Sequence, residues 1–147
     1  MANLKKIKVL VVDDSIMFRK SLEMGLGNDL NIEVVGTAAS AAEAIEKIRQ
    51  LRPDVLTLDV EMPQMNGIEF LKKLMPEYPI PVVVVSSLPI NALDALQAGA
   101  VDFVRKPGTH GPASMDMPAF ISDLSIKIKV AAHAHIPQTK PLSPRCV

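Results

Sequence analysis

The sequence predicts an α/β fold, a doubly wound parallel sheet between helices. Five short, mainly apolar runs rich in β-branched residues recur along the chain without strict alternation, as suits strands covered on both faces. A stretch of helical period follows each run, which makes the connections strand–helix–strand crossovers of right-handed sense. Four of the runs end on polar residues, and in an open parallel sheet the carboxyl ends of all strands lie along one edge, where ligands bind.

Taken in order, the first run is Val9 to Val12, and it stops at Asp13-Asp14-Ser15, any of which can cap the helix marked by Ile16, Lys20 and Met24. The second run, Ile32 to Val35, closes on Gly36 and Thr37, with Ala41, Ile45 and Ile48 lining the helix beyond. The third, Val55 to Leu58, leads to Asp59 and Glu61, and Ile68, Leu71 and Met75 line the third helix. Met62 and Met65 read as cover for the start of that helix. The fourth run, Val82 to Val85, ends at Ser86, ahead of a short helix near Pro89 to Ala98 with Ala92, Leu93 and Leu96 as its apolar positions. The fifth, Val101 to Val104, leads to Lys106-Pro107. The last helix starts near Asp116 and Pro118, with Phe120, Leu124 and Ile128 at every fourth position. From His133 onward there is no apolar period and no acidic residue, and prolines stand at 137, 141 and 144. The domain is therefore expected over 1–132, with 133–147 a linker or tail leading to something beyond.

Composition narrows the function. The 147 residues suffice for one self-supporting core, and 16 basic residues balance 16 acidic ones, so no basic excess recommends a nucleic-acid partner. One Tyr, four Phe and no Trp leave no aromatic platform for stacked bases. The single Cys146 closes no internal disulfide, which suits a reducing cytoplasm, and the first apolar run is too short for a signal segment or a membrane span. No dinucleotide fingerprint, phosphate-binding loop or nucleophile elbow occurs. His133 and His135 lack a third soft ligand in range and are expected to be a solvated pair.

The strand ends bring Asp13, Asp14, Asp59, Ser86 and Lys106 to one edge. Singly, each has a plain reading: the first aspartates or Ser15 as a cap, Asp59 as a turn residue, Ser86 or Ser87 as a cap for the fourth helix, Lys106 as a solvated lysine. Jointly they make a site. Three carboxylates held close repel unless a hard cation sits among them, and Mg²⁺ suits oxygen donors of this kind. A carboxylate can also serve as a nucleophile and form an aspartyl phosphate, with Lys106 and Ser86 available to the phosphoryl oxygens.

These motifs, Val11-Val12-Asp13-Asp14-Ser15, Leu58-Asp59-Val60-Glu61-Met62-Pro63, Met65-Asn66-Gly67, Ser86 and Lys106-Pro107, resemble the receiver domain of bacterial response regulators over roughly residues 6–132. The stretches Asp54 to Pro63, Val84 to Leu88 and Gly99 to Val104 are similar to the N-terminal receiver of chemotaxis protein-glutamate methylesterases. The resemblance implies a flavodoxin-like sheet of order 2-1-3-4-5 with five helices. It implies Asp59 as phosphoacceptor from a chemotaxis histidine kinase. It further implies Mg²⁺ on Asp14, Asp59 and the Glu61 backbone carbonyl with Asp13 assisting through water, and Ser86 and Lys106 on the phosphoryl oxygens. A cis Lys106-Pro107 peptide is implied too. Phe103 stands at the switch position, where the family often has an aromatic hydroxyl. The partner domain would be a C-terminal methylesterase released by phosphorylation. Two rivals remain at this point, a stand-alone receiver acting as a binding module or phosphate sink, and a phosphatase with a nucleophilic aspartate.

Overall fold

The computed structural model describes residues 6–60, 66–87, 90–107 and 117–135. Five strands pair in parallel in the order β2-β1-β3-β4-β5, the order the resemblance implies. The elements run β1 (Ile7–Val12), α1 (Ile16–Gly27), β2 (Ile32–Ala38), α2 (Ala41–Leu51), β3 (Val55–Asp59), α3 (Gly67–Glu77), β4 (Val82–Ser86), α4 (Ile90–Gln97), β5 (Asp102–Arg105) and α5 (Met117–His135). No helix among the described residues is long and apolar enough to cross a membrane.

The period of two along each strand splits the core. Val9, Val11, Val55, Val83 and Val85 face α1 and α5, where they pack with Leu22, Leu26, Phe120 and Leu124. Leu10, Val12, Leu56, Leu58, Val82 and Val84 face the other way, onto Ala44 and Ile48 of α2, Phe70, Leu71 and Leu74 of α3, and Ala95 of α4. The expected stripe of α5 is confirmed, since Phe120, Leu124 and Ile128 are fully buried.

Other expectations change. Ile16, Lys20 and Met24 form the outer face of α1, with Ile16 60% and Met24 73% exposed, and the buried positions are Leu22 and Leu26. Among the described side chains of α4, Ala95 is buried, and Leu93 and Leu96 are exposed. Strand β2 continues through Gly36 and Thr37, because backbone pairing with Leu10 and Val11 holds regardless of side chain. Its register against β1 shifts at Val9/Leu10, so that Val35 is skipped. The described peptide bonds include none that is cis, so Lys106-Pro107 is trans, the isomer X–Pro bonds favour intrinsically. Helix α5 is described to His135, so His133 and His135 lie in its last turn; His133 is exposed, with its Nδ1 2.8 Å from the Lys129 carbonyl.

Two glycines shape the sheet's surroundings. A Cβ on Gly67, the first residue of α3, would stand 2.4 Å from the Val60 Cα, so α3 can start this close to the end of β3 only with glycine there. Gly99 has φ of +121°, a left-handed conformation that side chains resist, and it turns the chain from α4 toward β5.

Candidate functional site: the carboxyl edge of the sheet

Each side chain of the site is delivered by a strand end. Asp13 follows β1, whose last residue Val12 pairs with Leu58 of β3, and Asp59 ends β3 one position further on. Ser86 ends β4 opposite Arg105 of β5, which sets Lys106 beside it; the Lys106 amide donates to the Ser86 carbonyl at 2.8 Å. Asp13, Asp59 and Ser86 are all buried, while Asp14 is exposed at the rim. Ser15, rather than either aspartate, caps α1, its hydroxyl accepting from the Phe18 amide at 3.2 Å. Asp13 Oδ1 accepts from the Ser15 amide at 2.8 Å, which leaves Oδ2 turned to the site.

Of the five residues expected together, Asp13, Asp14, Asp59 and Lys106 meet through their side chains, and Ser86 ends the strand beside Lys106. Ligand oxygens of Asp13, Asp14 and Asp59 lie within 4.8 Å of one another. The Lys106 ammonium is 3.3 Å from Asp13 Oδ2 and 3.3 Å from Asp59 Oδ2. Burial pushes the Asp13 carboxyl above its ordinary 3.8, and the Asp59 charge adds to that push; the Ser15 amide and Lys106 only partly offset it. Burial draws the Lys106 ammonium down, but attraction by Asp59 and Asp13 outweighs it and holds the group above its ordinary 10.5. One ammonium does not balance three carboxylates at this spacing, and all the donors are hard oxygens. The donor set therefore fits a divalent cation such as Mg²⁺.

Phe103, the expected switch residue, is half-buried against the cluster that contains Ala95 of α4, and its carbonyl accepts from Lys127 Nζ at 3.1 Å. Glu61, whose backbone carbonyl is the remaining expected metal ligand, lies outside the described residues, as do Met62, Met65, Pro89, Asp116 and the expected tail from 136.

Two neighbours of the site were not singled out from the sequence. Arg19 Nη1 donates to the Asp13 carbonyl at 2.7 Å. The Phe18 ring lies under Lys106, with Nζ 4.4 Å from the ring centroid, and Phe18 meets Phe120 of α5 at 5.5 Å between centroids and a 45° tilt. The available signal was their place in the first turn after Ser15, and for Phe18 the scarcity of phenylalanine in this chain. A groove of about 440 Å³ between Ile48, Arg52, Tyr78 and Ile80 opens near the amino ends of β3 and β4, away from the carboxylates.

Comparisons with known proteins agree with this geometry. The family model of the response regulator receiver domain matches residues 9–112. The chain is 51% identical over 133 residues to a protein-glutamate methylesterase/protein-glutamine glutaminase 2 of Syntrophomonas wolfei, covering 90% of this chain and 38% of that protein. It is 51% identical over 140 residues to the protein-glutamate methylesterase/protein-glutamine glutaminase of Syntrophotalea carbinolica, covering 92% of this chain and 39% of that one. The chain thus spans about two fifths of these relatives. Among solved structures, the response regulator domain of Thermotoga maritima CheB superposes with a TM-score of 0.77 at 42% identity, covering 88% of this chain and 98% of that one. The receiver domain of the Francisella response regulator 1452 superposes with a TM-score of 0.72 at 26% identity, over 92% of this chain and all (100%) of that one.

Proposed function

This chain belongs to the response regulator receiver domain family, and from that premise we propose that it accepts a phosphoryl group on Asp59 from a chemotaxis histidine kinase and so regulates a methylesterase domain in a longer protein. The observation that supports this reading best is the convergence of Asp13, Asp14 and Asp59 within 4.8 Å, with Lys106 bridging two of them. A carboxylate oxygen of Asp59 attacks the phosphorus of a phosphohistidine, the P–N bond breaks, and the imidazole leaves with its electron pair and takes up a proton. Asp14, Asp59 and the backbone carbonyl of Glu61 would hold Mg²⁺, with Asp13 assisting through water, and the bound ion would supply positive charge to the crowded carboxylates and the phosphoryl oxygens. Lys106 exchanges its carboxylate contacts for a phosphoryl oxygen, and the Ser86 hydroxyl donates to another.

Phosphorylation then acts as a switch. The added charge draws Ser86, the packing of Phe103 follows, and α4, β5 and α5 pass between two arrangements that differ by a few kcal/mol. The unphosphorylated domain restrains the esterase and the phosphorylated one releases it. Support for an esterase partner is the name and length of the relatives. A cytoplasmic location follows from the kinase.

The test is intact-protein mass after incubation with acetyl phosphate, with and without Mg²⁺. One phosphate adduct that requires Mg²⁺ and is lost in Asp59→Asn supports the reading; label persisting in that variant rejects it. Turnover of many phosphate esters per molecule would instead favour the phosphatase.

A further inference from the structure

The Lys106 ammonium has neighbours of two kinds. Asp13 Oδ2 and Asp59 Oδ2 both stand 3.3 Å away, and the Phe18 ring centroid stands 4.4 Å away. A four-carbon stem with about 2 kcal/mol of rotamer entropy does not hold one position by itself. Two carboxylates at equal and rather long distances leave the ammonium free to slide from one to the other. The face of an aromatic ring carries negative potential and attracts a cation, most strongly where water is scarce, as it is around this half-buried lysine. The ring is itself anchored. Its backbone amide is tied to the Ser15 cap at 3.2 Å, and its side chain leans on the fully buried Phe120.

We propose that Phe18 is a positioning residue for Lys106, its aromatic face holding the ammonium at the point between Asp13 and Asp59 from which it meets the incoming phosphoryl group. This role rests on the receiver reading above. Phe18 touches neither the phosphorus nor its oxygens and acts only through the lysine. It also gives α1 a part in the chemistry alongside β1, whose end delivers Asp13 and Asp14, because the ring comes from the first turn of that helix.

The experiment replaces Phe18 in the full chain with mono-, di- and trifluorophenylalanine, which drain the ring's negative face with little change of size, and adds Phe18→Leu. Labelling of Asp59 by acetyl phosphate with Mg²⁺ is followed by intact mass, and the Lys106 ε-methylene protons are followed by NMR without phosphodonor. The expected result is a labelling rate that falls stepwise with fluorination, by about three- to tenfold at trifluoro, a range set by a cation–π contact of partly desolvated strength. Phe18→Leu should be as slow as trifluoro, and the upfield ring-current shift of the Lys106 protons should vanish in it. A wild-type protein that labels normally with a rate flat across the series overturns this inference alone, as does an unshifted Lys106 resonance in the wild type. A wild-type protein that takes no label overturns the receiver reading and this role with it.

Discussion

Thr57 sits in the middle of β3, 1% exposed, and its hydroxyl has no hydrogen-bond partner among the described residues. Its lateral neighbours are Val11 on β1 and Val83 on β4, both in the cluster facing α1 and α5. Threonine and valine have nearly the same shape, so Thr57→Val replaces a stranded hydroxyl with a methyl and completes a row of valines. Leaving a buried polar group unsatisfied costs about 1–3 kcal/mol. Recovering most of it predicts a gain of about 1–2 kcal/mol, or ~2–4 °C in Tm per kcal/mol at this chain length. Urea titration without Mg²⁺ checks this: the midpoint should rise with an unchanged slope. Since Thr57 precedes Asp59 by two residues, labelling by acetyl phosphate should also stay at the wild-type rate. Destabilisation by 1 kcal/mol or more would refute the reasoning, because it would mean that the hydroxyl is satisfied by a buried water.

Further expectations concern charge and close contact. Because burial raises the Asp13 carboxyl above 3.8, the folded chain keeps a proton there that the unfolded chain releases; the stability this contributes is full below 3.8 and lost as pH rises through the raised value. Relative to wild type without metal, Asp13→Asn should gain stability across that window and then level off, and denaturation between pH 4 and 7 giving a flat difference would contradict this. The opposite sign holds for Asp29, held below 3.8 by Lys129, whose ammonium is 2.7 Å away, and by the Asn31 amide. That stability is present above 3.8 and lost as pH falls through the lowered value, and Lys129→Met should remove ~0.5 kcal/mol of it, less in high salt. Gly67→Ala places a Cβ 2.4 Å from the Val60 Cα; thermal melting should show a loss of about 1–3 kcal/mol, with slower labelling of the adjacent Asp59.

The site was more legible than the helix faces. Asp13, Asp14, Asp59, Ser86 and Lys106 could be assembled from the sequence because strand ends share an edge whatever the details of packing. Choosing a helix's inner face needs a contrast between its sides, and α1 has little. Ile16 and Met24 are as apolar as Leu22 and Leu26, and Ile16, Lys20 and Met24 stand at the same four-residue spacing as Leu22 and Leu26. Lys20 within the first set was the clue to its exposure. Among the described side chains of α4 the buried one is Ala95, a small residue on a helix that also carries the exposed Leu93 and Leu96, so side-chain size is a poor guide to its inner face. Phe18 beneath Lys106 joins residues 88 positions apart, a contact no local pattern encodes.

The sheet's two open sides bear on how the domain behaves when crowded with its own copies. An outer strand with regular, unpaired backbone groups is a template on which another chain can build. On one side β2 skips Val35 in its pairing, a bulge that bends the strand and spoils its ladder for a newcomer. On the other, β5 is only four residues long, and Lys127 bonds the carbonyl of Phe103 and lies 4.0 Å from Asp102. Neither side offers a straight, vacant run of hydrogen-bonding groups. The domain should therefore resist edge-to-edge aggregation at concentrations where a flat five-stranded sheet would seed fibres.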